Sequence, residues 1–356
     1  MNRVYTIQYL RALAALAVVA LHAGKRVQEA LPDMVTTGLS LGHAGVDLFF
    51  VISGFIMWSI SHNKPSDPIG FLLRRLIRIA PPYWVAILVW VAVVSVLNYN
   101  WITVTTPHVL GSLAFFPHYS PTFETRIWPV LVPGWTLTYE MFFYLVFAAA
   151  LLVATKQRLG LLVALFLGLV GAGFWLDPNQ AWAVTYTSPL LLEFLGGCLI
   201  AELWKRRPGS VARNLLLLLA GFGLLITFGT HVDDADLAHR ALVFGGPAVL
   251  ITLGAVGLGR RVPHLPWLER LGDASYAIYL FHLFLLVPMG EAWTRLPGLH
   301  STPAAFGFIV LTLVLVCFMG LAIYKYGEHP LQKTLNKLFL PKPPVAKPQE
   351  QSLANR

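Results

Sequence analysis

Two cysteines in 356 residues exclude a disulfide framework and any cysteine-rich metal cluster. Cys198 and Cys317 both fall inside apolar stretches, where a free thiol serves as small apolar filler. Charge is scarce too: Asp, Glu, Lys and Arg make up 12% of the chain against 56% hydrophobic residues. That balance describes an integral membrane protein, not a soluble core. No Ser/Gly-rich linker divides the chain, and neither a repeat of solenoid period nor inverted halves are evident. One domain over 1–338 is expected. A polar, proline-bearing tail over 339–356 has the composition of a disordered segment.

What is abundant is apolar sequence of bilayer length. Ten stretches qualify, at about 7–23, 44–60, 81–97, 134–154, 159–176, 186–204, 214–230, 241–258, 275–289 and 303–324. The fold class predicted is all-α: a polytopic membrane protein of about ten transmembrane helices. The first run is interrupted by Arg11 and followed by nine more, so it reads as a retained helix and not as a signal peptide. With the N-terminus inside, twenty of the 26 Lys and Arg residues face the cytoplasm. Five face out, Lys25, Arg26, Arg126, Arg240 and Arg295, and Arg11 is intramembrane. This bias predicts cytoplasmic termini, and it accounts for the net charge of +9 with no nucleic-acid partner.

Ionisable groups inside such runs are costly and commonly mark a site. Arg11 and His22 lie eleven residues apart in the first run, which puts them on one helix face, separated by about 16 Å. Two layers follow from depth. His22, Asp47 and Glu140 belong to the outer half, and Arg11 with Arg74, Arg75 and Arg78 to the inner mouth. A carboxylate on one imidazole nitrogen fixes the tautomer and raises the basicity of the other, so His22 with Asp47 suits a general base. Simpler readings stand beside these. His22 is otherwise an interfacial histidine, Asp47 a helix cap, and the Arg74–Arg78 cluster an orientation signal. Arg11 must snorkel or pair. Glu193 and His282 are either structural hydrogen-bond partners or functional groups. The longest connection, Asn98–Pro133, is rich in aromatics and carries His108, His118 and Arg126. It suits a carbohydrate surface or a membrane interface.

Six blocks, taken in order, resemble the membrane-bound acyltransferase-3 family, above all its exopolysaccharide O-acetyltransferases of the succinoglycan kind. They are Ile7–Ala15 leading to His22, Gly42–Phe55, Arg74–Trp84 with Arg75 and Arg78 as its Arg-x-x-Arg element, Trp135–Tyr144, Ser275–Leu283, and Glu328-His329-Pro330. The resemblance implies transfer of an acetyl group from cytoplasmic acetyl-CoA to a hydroxyl of an extracytoplasmic or lipid-linked glycan. The setting would be the bacterial inner membrane. It implies His22 as the catalytic residue and Arg11, Arg75 and Arg78 as donor-binding residues; the reading by depth adds Asp47 and Glu140 beside His22 as catalytic candidates. Trp135 is assigned to the acceptor. No metal is expected, and no fused hydrolase-like domain. Lys25-Arg26, three residues after His22, is an unusually basic edge for the family. Direct transfer and a covalent acyl intermediate on His22 both remain open. The rival reading is a secondary transporter or flippase without group transfer.

Overall fold

The computed structural model describes residues 4–32, 34, 37–61, 67–99, 101–177, 179–206, 209–231, 236–296, 298 and 300–340. The expected tail therefore lies outside the described residues from 341 onward. In chain order the main helices are α1 (Tyr5–Ala30), α2 (Ala44–Ser61), α3 (Pro68–Val96), α4 (Thr106–Leu113), α5 (Trp135–Ala150) and α6 (Thr155–Ala172). They continue with α7 (Leu191–Arg206), α8 (Val211–Phe228), α9 (Gly246–Leu258), α10 (Pro266–Asp273), α11 (Ser275–Thr294), α12 (Thr302–Ile323) and α13 (His329–Phe339). Among the described residues there is no strand, and 9 helices are long and apolar enough to cross a membrane. The protein is an all-α polytopic membrane protein. The expected span over 134–154 is α5, a helix of 16 residues that is not among these 9.

Small side chains make α1 the pivot. Ala12, Ala14, Ala15, Val18, Val19 and Ala23 are all buried, so helices close on α1 from several sides. Its neighbours are α2, α10, α11 and α12, with α9 behind. The tightest crossing joins α2 to α7 through two glycines. A Cβ on Gly54 would overlap the Phe194 carbonyl oxygen, and one on Gly197 would overlap that of Val51. The two backbones touch there, and Cys198 Sγ rests 3.5 Å from the Gly54 carbonyl oxygen. Phe50, Phe194 and Phe143 stack in sequence at 4.6 and 4.5 Å, tying α5 into the same core.

The third expected span begins earlier than its apolar run. Asp67 caps α3, accepting from Gly70 N at 2.8 Å, and the helix continues through Arg74–Arg78 and both prolines to Val96. Pro81 and Pro82 lack the N–H groups that would bond the carbonyls of Ile77 and Arg78. Tertiary partners serve this stretch instead. Gln332 Nε2 donates to the Arg78 carbonyl at 3.4 Å, and the Tyr276 hydroxyl donates to that of Ile79 at 2.8 Å. The arginine cluster is thereby part of a long helix and not of a loop before one.

Candidate active site: two cavities that share a wall

Residues 114–134 fold back over the end of the bundle where α1 finishes. Ser120 N donates to the Arg126 carbonyl at 2.9 Å, Arg126 N to that of Phe123 at 2.7 Å, and Val130 N to Ser112 Oγ at 2.9 Å. Beneath this loop lies a cavity of about 270 Å³, walled by His22, Lys25, Arg126, Trp128, Trp135 and Arg240 among others. Toward the end where α1 begins lies a narrower cavity of about 90 Å³, walled by Arg11, Arg75, Arg78, Ser53, Glu140 and Tyr144 among others. Val46 and Tyr279 line both cavities. Those two residues form a wall between the two spaces.

His22 is half-buried, and its partner is a second histidine. His282 Nδ1 lies 2.6 Å from the Tyr279 carbonyl oxygen, and His282 Nε2 lies 3.0 Å from His22 Nδ1. A carbonyl only accepts, so His282 carries its proton on Nδ1 and accepts at Nε2. His22 Nδ1 must then be the donor. In the neutral pair, with tautomers assigned from these partners, His22 Nε2 is the nitrogen without a proton. The rings stack at 4.9 Å and 23°, which holds His22 in place. That is the arrangement of an oriented base.

Asp47 does not meet His22. Its Oδ2 accepts from Arg240 at 2.6 Å, and both residues are almost wholly buried. Arg240 also donates to the His43 carbonyl at 3.1 Å and lies over the rings of Trp135 and Phe244. The cause is rotational. Gly45 faces α1 closely enough that a Cβ would strike the Ala14 carbonyl oxygen. Two residues onward is about 200° around the helix, so Asp47 points away from α1 toward α7 and the buried Glu193.

Glu140 is also displaced from its expected layer. The loop places Trp135 in the wall of the larger cavity, and five residues carry α5 about 7.5 Å deeper and 140° round. Glu140 therefore lines the narrower cavity, where its Oε1 accepts from Ser53 Oγ at 3.0 Å and from the Tyr144 hydroxyl. Arg75 lies within electrostatic reach of Glu140 and over the Phe71 ring, with its buried Nε unpartnered among the described residues. Arg11 is buried, donates to Gln8 Oε1 at 3.1 Å, and has Arg78 and Glu328 as charged neighbours. Gln332 donates to Glu328 at 3.2 Å from the same side chain that serves Arg78. An unpartnered guanidinium nitrogen beside two further arginines fits a ligand with several anionic oxygens.

Comparison with known proteins decides the family. The acyltransferase domain family matches residues 4–323. The chain belongs to the acyltransferase-3 family. It is 41% identical to the exopolysaccharide production protein ExoZ of Rhizobium meliloti, over 82% of this chain and 90% of that protein. The peptidoglycan O-acetyltransferase OatA of Listeria monocytogenes is 25% identical over 92% of this chain and 56% of its own length. The acyltransferase MdmB of Streptomyces mycarofaciens is 26% identical over 92% of this chain and 91% of its own. No solved structure matches. As a family member the protein is a multi-pass membrane acyltransferase.

In this acyltransferase the expected site residues fall into two groups. His22 and Trp135 line the larger cavity, and Arg11, Arg75, Arg78 and Glu140 line the narrower one. Asp47 stands behind the larger cavity, holding Arg240. Two residues gain a place that sequence left open: His282 on His22, and Glu328 beside Arg11 and Arg78. Arg240 was counted with the outward loops and is instead buried. Its only sequence signal is its position at the edge of the apolar run that starts at Ala241.

Proposed function

We propose that this protein moves an acetyl group from cytoplasmic acetyl-CoA to a hydroxyl of an extracytoplasmic or lipid-linked glycan in the bacterial inner membrane. The single observation that carries the reading is the pair of adjacent cavities that share Val46 and Tyr279 as a wall, one rich in arginine and the other holding an oriented imidazole. With both termini cytoplasmic, as the Lys/Arg bias favours, the arginine cavity faces the donor and the histidine cavity the acceptor. The names of ExoZ and OatA, an exopolysaccharide production protein and a peptidoglycan O-acetyltransferase, support a polysaccharide acceptor.

In this mechanism Arg75, Arg78 and Arg11 pair with donor phosphates. Glu140 positions Arg75 from across the cavity, and Trp135 offers a face on which a sugar stacks. Acetyl-CoA supplies a thioester whose C–S bond breaks as the new ester C–O bond forms. His22 Nε2 takes the acceptor's hydroxyl proton and returns it to the departing thiolate. His282 holds His22 Nδ1–H throughout, so the base never presents its wrong nitrogen. Arg240, braced by Asp47, shapes the acceptor side.

The test is transfer of labelled acetyl from acetyl-CoA to glycan by membranes containing the protein. His22→Ala is expected to cost about 10²–10⁴-fold in kcat, the usual worth of a positioned base, with little change in donor KM. Arg75→Ala is expected to do the reverse, raising donor KM while kcat holds. Full transfer by membrane-inserted His22→Ala protein rules the mechanism out.

A further inference from the structure

The wall between the two cavities is made of one ring and one branched side chain, and both are fixed. The Tyr279 hydroxyl donates to the Pro133 carbonyl at 3.0 Å and lies 3.1 Å from Thr136 Oγ1, and the Phe49 ring meets the tyrosine edge-on at 5.8 Å. Val46 is 6% exposed and follows Gly45, which packs on the Ala14 backbone and on Val18 of α1. There α2 is seated directly on α1, and a β-branched side chain in a helix holds one preferred rotamer. Ala14 and Val18 lie between Arg11 and His22 along α1, so the wall stands between the arginines and the imidazole.

Below the wall the narrower cavity follows one face of α2. Val46, Phe49, Phe50, Ser53 and Met57 recur at helical spacing and all line it, and from Val46 to Met57 is a depth of about 16 Å. Ser53 bonds Glu140, the electrostatic neighbour of Arg75, so Arg75 belongs to a level about two turns below Val46. A donor whose anionic end rests on the arginines brings its acyl end to Val46. There the carbonyl carbon has to meet the acceptor oxygen, and each methylene added beyond it presses on the valine and on a tethered ring. We propose that Val46 sets the length of the transferred acyl group: with valine the wall admits acetyl, and a longer chain is admitted only when this side chain is smaller. This rests on the reading that the arginine cavity holds an acyl-CoA and the His22 cavity its acceptor.

The test gives the full chain in detergent acetyl-, propionyl- or butyryl-CoA, with de-O-acetylated fragments of the producing cell's surface glycan as acceptor. The readout is kcat/KM for each donor as a ratio to acetyl-CoA. For the wild type each added methylene should lower this ratio about 10–200-fold, the range that one methylene is worth in a closed apolar pocket. Val46→Ala should raise the propionyl-to-acetyl ratio about tenfold, and Val46→Ile should lower it further, whatever either does to the acetyl rate. Val19→Ala removes the same methyl groups from a buried position on α1 that lines neither cavity, and it should keep the wild-type ratio. Equal use of the three donors by the wild type, or wild-type ratios in both Val46 variants, overturns the proposal and leaves acyl transfer by His22 standing. A gain in Val19→Ala that matches the gain in Val46→Ala also overturns it, since looser packing of the bundle is then the cause. No transfer from any donor by the wild type removes the acyl-transfer reading and this one with it.

Discussion

The unprotonated nitrogen of His22 is set by a carbonyl two links away. Tyr279 O fixes the His282 proton, His282 fixes the His22 proton, and His22 Nε2 is left bare. His282→Ala removes one acceptor for His22 Nδ1–H and the ring stacked on it, so the imidazole is held less firmly in one tautomer. We expect a loss in kcat smaller than that of His22→Ala, together with a displaced pH–rate profile. His282→Gln, whose side-chain oxygen still accepts, should recover part of the rate. A profile identical to wild type in His282→Ala would show that the relay does not set the base. Donor KM serves as the control, because His282 does not line the arginine cavity.

Helices and loops carry different liabilities. At the α2–α7 crossing, Gly197→Ala drives a methyl group into the Val51 backbone, which cannot yield as a flexible side chain can. Overpacking of this kind costs about 1–3 kcal/mol, and a lowered melting temperature of the purified protein is the readout. Gly160→Ala in α6 is the matched control, since a Cβ there meets nothing within 4 Å. It should be neutral or slightly stabilising, alanine being the better helix former. The loop that roofs the larger cavity depends on His108, whose Nε2 is 3.2 Å from the Trp128 carbonyl oxygen. Burial holds the His108 imidazole below the ordinary histidine range. A folded-state value below the unfolded one means that the unfolded chain binds the proton more readily. The contribution of this group is thus fully present above about pH 6.5 and is lost as pH falls below it. Melting temperature should drop between pH 7.5 and 5.5, and less steeply in His108→Gln. Equal slopes would assign the acid sensitivity to other groups.

For the molecule as a whole, the prediction is orientation. Glu124, in the loop over the His22 cavity, and Gln157, at the start of α6, are both exposed and belong to connections at opposite ends of the bundle. Single cysteines at these positions in a Cys198→Ala, Cys317→Ala background should label from opposite sides. In intact cells an impermeant maleimide should reach Glu124→Cys, and Gln157→Cys only after permeabilisation. The reverse pattern would place the arginine cavity outside, away from any cytoplasmic donor.

Membrane insertion, all-α architecture and the placement of Arg11 and His22 on one helix face are determined by the sequence alone. They follow from properties that a linear string carries: apolar run length, the one-sided distribution of cations, and the period of a helix. The family's blocks are equally linear and point to His22. Which groups touch is another matter, because it depends on how each helix is rotated about its axis. Asp47 leaves His22 for Arg240 because Gly45 occupies the face toward α1. Glu140 joins the arginines because the folded-back loop starts α5 below the surface. His282 reaches His22 across 260 residues of chain. Rotation and long-range pairing are settled by packing against neighbours, and the close glycine contacts that set them become visible only once the helices are assembled.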